Sequence, residues 1–386
     1  MNQYYLIYLG EWSYSSIHNG NPQATEYQLN LKLFTGSFFL KVGQYLSSQS
    51  GNPGRGYHRR SSEAGQENDR IIQIKEHRIT IMKKLPQIST LDLNFQNCPG
   101  AIASYLIPYA KGLILIESGP GSTQDQLEKN LNELSYNLEQ ITHLFLTHIH
   151  LDHAGAAGWL AEKTGAFVFV HPRGAPHLQD PTRLLASAAR IYKDKMHTLW
   201  GNMQPVPKDQ LVILNHGDEV QVGPYTLRAL DTPGHANHHL AYLLDEVCFS
   251  GDVGGVRIQN GSVRSLRLPM PPPEFHPPRW RESITILRKE RISKIAPTHF
   301  GFYDDVDWHL GELVAELDSI EEWMASIMPR GLEIEELRKE FLDWVKTRAR
   351  ELGLGGQAID ALEKANPSGM SADGIKRYWE KYVQPV

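Results

Sequence analysis

The sequence predicts a mixed α/β domain followed by a helical C-terminal region. From Ile88 onward, short apolar runs such as SYLIPY, GLILIES and HLFLTH alternate with turns and with helical segments such as DQLEKNLNEL. After Trp308, apolar residues recur at three- and four-residue spacing in HLGELVAELDSIEEWMASI and EIEELRKEFLDWVKTRAREL, which is typical of amphipathic helices. We therefore assign residues 83–308 to the α/β domain and residues 309–386 to a C-terminal α-helical domain.

Residues 1–82 are predicted to be a poorly structured N-terminal extension. Residues 46–70 contain almost nothing apolar, which is the composition of a segment that buries little surface. Three strand-like runs precede it: YYLIYLG, YQLNLKLF and SFFLKVGQYL. They either form a small sheet or are poorly ordered. The alternative is that translation begins at Met82, because recognisable domain sequence begins directly after it.

Composition and charge restrict the partners. The 386 residues are 41% hydrophobic and 22% charged, as in an ordinary globular protein, and the formal net charge is −5. Because no broad basic surface is indicated, we expect no nucleic-acid partner and no membrane partner. Cys98 and Cys248 are far apart and form no CxxC pair, so we expect a reducing, cytoplasmic location. A small-molecule substrate is expected, and a homodimer is left open.

The informative stretch is HLFLTHIHLDHAG, residues 143–155, in which an apolar run leads into three histidines and an aspartate. In an extended strand end, residues two apart point the same way, so His148 and His150 can converge on one ion. Asp152 and His153 then open a helix and diverge enough to serve a neighbouring ion. The spacing predicts two adjacent metal sites.

Two sites need more ligands than these four, and later strand ends supply candidates. DTPGHANHH places His235 after a strand and a Pro-Gly turn, and IAPTHFG places His299 after another short strand. CFSGDVGG places Asp252 where one carboxylate can bridge two cations. Imidazole and carboxylate ligands without thiolate suit zinc, iron or manganese, and five histidines favour zinc or iron over magnesium or calcium.

THIHLDH followed by DTPGH, SGD and THFG resembles the metallo-β-lactamase superfamily, particularly its glyoxalase II and lactonase branch, over roughly residues 88–300. The resemblance implies a four-layer αββα sandwich, here with the C-terminal helical extension, and a catalytic domain at 83–308. It also implies that ESGPG at 117–121 places Glu117 in an acidic position behind the ligands. The implied ligands are His148, His150 and His235 for the first metal, Asp152, His153 and His299 for the second, and Asp252 between them.

This arrangement predicts a metal-dependent hydrolase with two divalent ions, zinc or else iron or manganese. Two cations lower the pKa of a shared water, so that hydroxide attacks a thioester, lactone or related carboxylic ester near neutral pH. Asp152 is the predicted catalytic residue, because it can orient the nucleophile and carry a proton to the leaving group. A phosphodiesterase or nuclease, a mononuclear-iron sulfur dioxygenase and a non-catalytic binding protein are the alternatives.

Departures from other branches of the superfamily narrow the activity. Position 252 is Asp where many antibiotic-degrading members carry Cys or Ser, and position 150 is His where di-iron flavoproteins commonly carry Glu. The resemblance therefore disfavours antibiotic hydrolysis and oxygen reduction.

Several further residues have two interpretations each. His171 is placed either at the pocket rim or in a hydrogen-bonded turn, whereas His238 and His239 are expected behind the ligands or on a helix surface. Core packing is favoured for Tyr192 and Trp200, which lie with Arg183 in a long insertion that often covers the active site in this superfamily. The run at 268–278 is either a lid or a stiff connection to the helix near Trp280. The basic groups that glyoxalase II supplies from its C-terminal domain have candidate counterparts here: Lys376, Arg377, Tyr378 and Lys381.

Overall fold

The computed structural model describes residues 86–260 and 263–384, together with the backbone of three strands nearer the N-terminus. These strands form an antiparallel sheet in the order β1–β2–β3, with β1 at Ser13–Ile17, β2 at Glu26–Leu33 and β3 at Gly36–Lys41. They belong to a compact unit, Met1–Thr80, and the rest of the chain forms a second unit, Ile81–Val386. A small sheet, one of the two outcomes left open, is therefore present. The YYLIYLG run, residues 46–70 and Met82 lie outside the described residues.

The first half of the second unit contains a six-stranded sheet in sequential order. Its strands are β4 Ser89–Asp92, β5 Ala103–Tyr109, β6 Gly112–Ile116, β7 Ile141–Phe145, β8 Phe167–Val170 and β9 Leu211–Ile213. The pairs from β4 to β6 are antiparallel, and those from β6 to β9 are parallel. Parallel neighbours need long crossover connections, and helices fill them. These helices are α1 Gln124–Glu133, α2 Leu151–Ala154, α3 Ala157–Thr164, α4 Ala175–Gln179, α5 Thr182–Tyr192 and α6 Met196–Trp200.

A five-stranded sheet follows, with a hairpin inserted before its last strand. The sheet has the order β10 Glu219–Val222, β11 Tyr225–Asp231, β12 Leu240–Leu244, β13 Val247–Phe249 and β16 Lys294–Ala296. Its pairs are antiparallel except for β13 with β16. The hairpin consists of β14 Val256–Asn260 and β15 Val263–Arg267.

The two sheets pack face to face, and helices cover both outer faces. Side chains alternate along β6, so that Ile114 and Ile116 enter the core between the sheets, whereas Leu113 and Leu115 enter the core under the first set of helices. Between the sheets, the ring of Phe145 on β7 meets that of Tyr242 on β12 with centroids 5.3 Å apart. This arrangement confirms the αββα sandwich that the resemblance implied.

The outer face of the second sheet is covered by helices from the C-terminal third of the chain. These helices are α7 Pro277–Lys289, α8 Val306–Ile327, α9 Ile334–Glu351 and α11 Ser368–Tyr378, whereas α10 Gly356–Ala365 packs its buried face against the core under the first set of helices. In α8, Leu310, Leu313, Leu317 and Ile320 recur at three- and four-residue spacing and are all buried against this sheet's core. The predicted helical region is present, and its first helix begins at Val306. The predicted boundaries after residues 82 and 308 stay predictions.

Among the described helices, none combines the length and apolar character needed to cross a membrane.

Candidate metal centre

The HIHLDH segment turns directly from a strand into a helix. After β7 the chain stays extended through His150, which is the residue before α2 and has β-type backbone angles. His148 and His150 project in the same direction, and Nε2 of His148 lies 2.8 Å from Nδ1 of His150. The convergence expected from their two-residue spacing is therefore present.

Two residues from the second sheet complete the first group. His235 follows β11, and its Nε2 lies 3.1 Å from Nε2 of His148 and 2.9 Å from Nδ1 of His150. Asp252 lies in a 3-10 turn, Gly251–Gly254, that follows β13, and its Oδ2 is 3.2 Å from Nε2 of His235. One donor atom from each of these four residues meets at a common point.

The second group combines the start of α2 with the end of β16. Nε2 of His299 lies 3.4 Å from Oδ2 of Asp152, and Nε2 of His153 lies 3.7 Å from the same oxygen. Asp152 and His153 lie in the short helix α2, which follows the segment that carries His148 and His150. The second group therefore lies beside the first.

Asp252 connects the two groups with its two carboxylate oxygens. Oδ2 faces His235 in the first group, whereas Oδ1 lies 3.1 Å from Nε2 of His153 and 3.4 Å from Nε2 of His299 in the second. The side chain is 4% exposed. Asp252 therefore faces donor atoms of both groups.

The donor atoms fit divalent cations. In His153, His235 and His299, Nδ1 donates to an oxygen behind the site, at 3.0, 2.8 and 2.7 Å, so in the neutral form of each ring Nε2 carries the lone pair. Nε2 of His153 and Oδ1 of Asp252 are buried, and neither has a hydrogen-bond partner among the described residues. Buried acceptors that face one another without a proton donor are costly unless a cation lies between them. The donor set suits zinc, iron or manganese.

Electrostatics in the cluster favour the metal-binding protonation states for most of its members. Burial and the neighbouring imidazoles lower the pKa of His150 to about 3 and that of His148 well below its usual range. Burial alone would raise the pKa of Asp152, but the imidazole of His153 lowers it to about 2. For His153 itself, burial is outweighed by the carboxylates of Asp252 and Asp152, which raise the pKa. His148 and His150 are therefore neutral ligands, and Asp152 is ionised.

A buried carboxylate supports the cluster from behind. Glu117 follows β6 in a left-handed conformation with φ 65°, and it accepts from Nδ1 of His153 at 3.0 Å. Its Oε1 also accepts from the hydroxyls of Thr147 and Thr298, at 2.5 and 3.1 Å. Nδ1 of His148 in turn donates to the Thr147 hydroxyl at 3.1 Å. One carboxylate thus orients ligands of both groups, in the supporting position that the resemblance implied for Glu117.

The remaining histidines near the cluster belong to neither group of ligands. The ring of His238 stacks on that of His148 with centroids 5.9 Å apart, and its Nε2 lies 3.5 Å from Glu274. His239 is buried behind the cluster, where its Nδ1 lies 2.8 Å from the Thr232 hydroxyl. His171 is in a turn and accepts from the backbone N–H of Arg173 at 3.0 Å.

A cavity of about 330 Å³ opens onto the cluster. The 172–210 insertion contributes Arg183, Tyr192 and Trp200 to its lining, and the Pro-rich run contributes residues 269–274. Tyr192 and Trp200 also pack against each other with ring centroids 5.0 Å apart, so the core-packing expectation describes only part of their role. The Pro-rich run is both a cavity wall and the connection to α7.

The C-terminal helices reach the cavity through a different segment from the one expected. None of the four candidates, Lys376, Arg377, Tyr378 and Lys381, is among the described residues that line it, so they do not form its wall. Tyr378 instead packs on His276 with ring centroids 5.4 Å apart. The end of α10 and the start of α11 lie at the cavity, and α10 contributes Lys364.

Apart from Glu117, sequence reasoning missed the groups that hold the ligands in place. Two of them are backbone carbonyls, those of Ala101 and Pro269, which no residue type signals. The two threonines did leave a signal, because a Thr-His dipeptide occurs at both Thr147 and Thr298, directly before a ligand.

Comparison with known proteins identifies the family. The family model described as the metallo-β-lactamase superfamily matches residues 99–299, which is more than half of the chain. The chain therefore belongs to the metallo-β-lactamase superfamily, and its His/Asp cluster makes it a metallohydrolase of that superfamily.

Similarity to individual proteins is more distant. The metallo-β-lactamase fold-containing protein ST1585 of Sulfurisphaera tokodaii is 26% identical over 53% of this chain and 72% of its own length. The crystal structure of ST1585 covers 75% of this chain and 98% of its own, with a TM-score of 0.53 and 20% identity, which supports the fold.

Two relatives with named activities match over shorter stretches. A hydroxyacylglutathione hydrolase of Erythrobacter litoralis is 32% identical over 29% of this chain. An atrochrysone carboxyl ACP thioesterase of Aspergillus fumigatus is 30% identical over 39% of it. The matched stretches span only 34% and 38% of those two relatives.

Proposed function

We propose that the protein is a binuclear metallohydrolase that cleaves a thioester, lactone or related carboxylic ester of a small molecule. The observation that carries the proposal is the bridging position of Asp252, whose two oxygens face two separate groups of donor atoms. Two divalent ions held there, zinc or else iron or manganese, would lower the pKa of a shared water and polarise the carbonyl oxygen under attack. The chain's own residues position both reactants.

Asp152 is the cluster member best placed to act on the water. Its side chain is 20% exposed, whereas those of His153, Asp252 and His299 are at most 4% exposed. It also lines the cavity. As an ionised carboxylate it accepts a hydrogen bond from the attacking water and orients it, and it then transfers the proton to the departing thiolate or alkoxide.

The cavity wall favours a carboxylic ester over a phosphodiester. Most of the side chains above the cluster are apolar, including Ile149, Leu184 and Met370, and they solvate a carbon-rich acyl group better than a charged phosphodiester. The similarity to a named hydroxyacylglutathione hydrolase and to a named thioesterase supports the same choice. Cys98 and Cys248 are buried free thiols, so we further propose a reducing, cytoplasmic setting.

A substrate panel tests the proposal. Hydrolysis of S-lactoylglutathione, an N-acyl homoserine lactone and bis(p-nitrophenyl) phosphate is measured with protein whose metal content is known. We expect turnover of a carboxylic ester and a loss of at least about 100-fold in kcat for Asp152→Asn. Asp194→Asn, at an exposed position on the insertion, is the matched control. Turnover of the phosphodiester alone would favour the phosphodiesterase alternative, and no hydrolysis by protein with both ions bound would refute the proposal.

A further inference from the structure

The cavity above the cluster is lined by both apolar and cationic side chains. Its apolar wall comes from the insertion and from α11 and includes Leu184, Ile191 and Met370. Ile191 is 42% exposed although it is a large apolar residue. Apolar side chains that line a cavity and remain open to water lower their free energy when a ligand covers them. The apolar wall therefore favours an apolar group.

Two cations also line the cavity. Arg183 comes from α5 and Lys364 from α10, and both are exposed. Neither forms a hydrogen bond or ion pair with another described residue. Of the anionic lining residues, Asp152 and Asp252 belong to the ligand cluster, and Glu274 accepts from the backbone and side-chain N–H groups of Asn237 at 2.8 and 2.9 Å. Two cations therefore remain for an anionic group of the ligand.

The cavity has the size of a small-molecule site. Its volume of about 330 Å³ is within the range of such sites, roughly 300–1,000 Å³. A substrate with its carbonyl at the ligand cluster has two arms. The apolar arm gains most from the apolar wall, and the remaining arm, which is the leaving group, is available to the two cations.

We propose that the substrate is an amphiphilic thioester or ester whose apolar acyl chain lies along Leu184, Ile191 and Met370 and whose anionic leaving group contacts Arg183 and Lys364. This inference rests on the proposed function, because it requires the reacting carbonyl to face the metal ligands. Hydrolysis breaks the acyl C–S or C–O bond, water supplies the hydroxyl of the product acid, and its second proton goes to the leaving group.

The first test varies the acyl chain. Acetyl, butyryl, hexanoyl and octanoyl thioesters are prepared with two leaving groups, neutral 4-nitrothiophenol and anionic 5-thio-2-nitrobenzoate. We expect kcat/KM to rise by up to about fourfold for each methylene that the wall buries, until the cavity is filled. A flat profile across the series would overturn the acyl-chain assignment.

The second test removes the two cations. The double variant Arg183→Gln/Lys364→Gln is expected to reduce the preference for the anionic leaving group by about two- to fivefold at low salt, as for exposed ion pairs. The neutral series serves as the internal reference, so the difference in leaving-group reactivity cancels. Arg190→Gln/Lys376→Gln, which makes the same charge change at positions that do not line the cavity, is the matched control. An unchanged preference in the double variant would overturn the anion assignment.

Binding of non-hydrolysable analogues separates this inference from the proposed function. The octyl and ethyl thioethers of 5-thio-2-nitrobenzoate are titrated calorimetrically into the wild-type protein and the double variant. Tighter binding of the octyl compound, weakened in the double variant, supports the inference even if no thioester is hydrolysed, in which case only the proposed function fails. Equal binding of the two thioethers overturns the inference even if thioesters are hydrolysed.

Discussion

Replacement of Glu117 by Gln tests whether the buried carboxylate behind the cluster sets metal affinity. Its Oε1 accepts from three donors, Nδ1 of His153 and the hydroxyls of Thr147 and Thr298, and its Oε2 accepts from the backbone N–H of Thr147 at 3.3 Å. Gln has one acceptor oxygen in place of two. In either orientation its NH₂ group faces at least one of these donors.

The expected magnitude follows from those contacts. Loss of a supporting carboxylate weakens metal binding by about 10- to 100-fold, which is roughly 1.4–2.7 kcal/mol. Because Glu117 is fully buried, two donors that face each other in Glu117→Gln have no water to bond with. We therefore expect a loss of metal affinity toward the upper end of that range. Zinc affinity is measured by competition with a chromogenic chelator. Glu133→Gln, at a side chain that is 63% exposed on α1, is the control. Wild-type affinity in Glu117→Gln would refute the supporting role.

Two further predictions concern stability. Burial and the nearby charge of Arg257 lower the pKa of His309 to about 4, although the hydrogen bond from its Nε2 to the Gly254 carbonyl opposes that shift. The unfolded chain therefore takes up the extra proton between pH 6.5 and 4, and stability falls as the pH falls through that window. Denaturant unfolding should show that the wild type loses up to about 3 kcal/mol relative to His309→Gln between pH 7 and pH 4, and parallel pH profiles would contradict this. A Cβ on Gly234, whose φ is 137°, would lie 2.4 Å from Cα of Trp280, so Gly234→Ala should lower stability by about 1–3 kcal/mol and reduce metal content through the adjacent His235. At Gly311 an added Cβ has no neighbouring atom within 4 Å, so Gly311→Ala should leave metal content unchanged and stability unchanged or slightly higher. Equal effects of the two substitutions would count against the argument.

The sequence was sufficient to place the candidate ligands because five of them lie just after a short apolar strand and the other two, Asp152 and His153, open the helix that follows the first of these strands. His148 and His150 are two residues apart on an extended segment, so their convergence is local geometry. His235, Asp252 and His299 come from other strand ends, and the resemblance to a known family brought them to the same edge of the sandwich. The structure brings the donor atoms within 4.8 Å of one another in each of the two groups.

The sequence did not reveal the contacts in which a side chain's partner is a backbone atom or a distant helix. The carbonyl of Pro269 fixes His235, but proline at 269 carries no signal for that contact. Lys364 lies at the cavity because α10 packs against the core under the first set of helices, and amphipathic spacing predicts a buried face without its partner. That is why Lys376 and Arg377 were chosen as candidates and Lys364 was overlooked.

The most direct test of the binuclear centre is the number of metal ions per chain, measured by elemental analysis of protein purified without added metal. Two equivalents of zinc, or of zinc with iron or manganese, are predicted, because seven residues form two groups of donor atoms and the two oxygens of Asp252 face one group each. A single equivalent of iron would contradict the binuclear hydrolase and favour a mononuclear-iron dioxygenase, and no bound metal would contradict the account of the cluster as a metal centre.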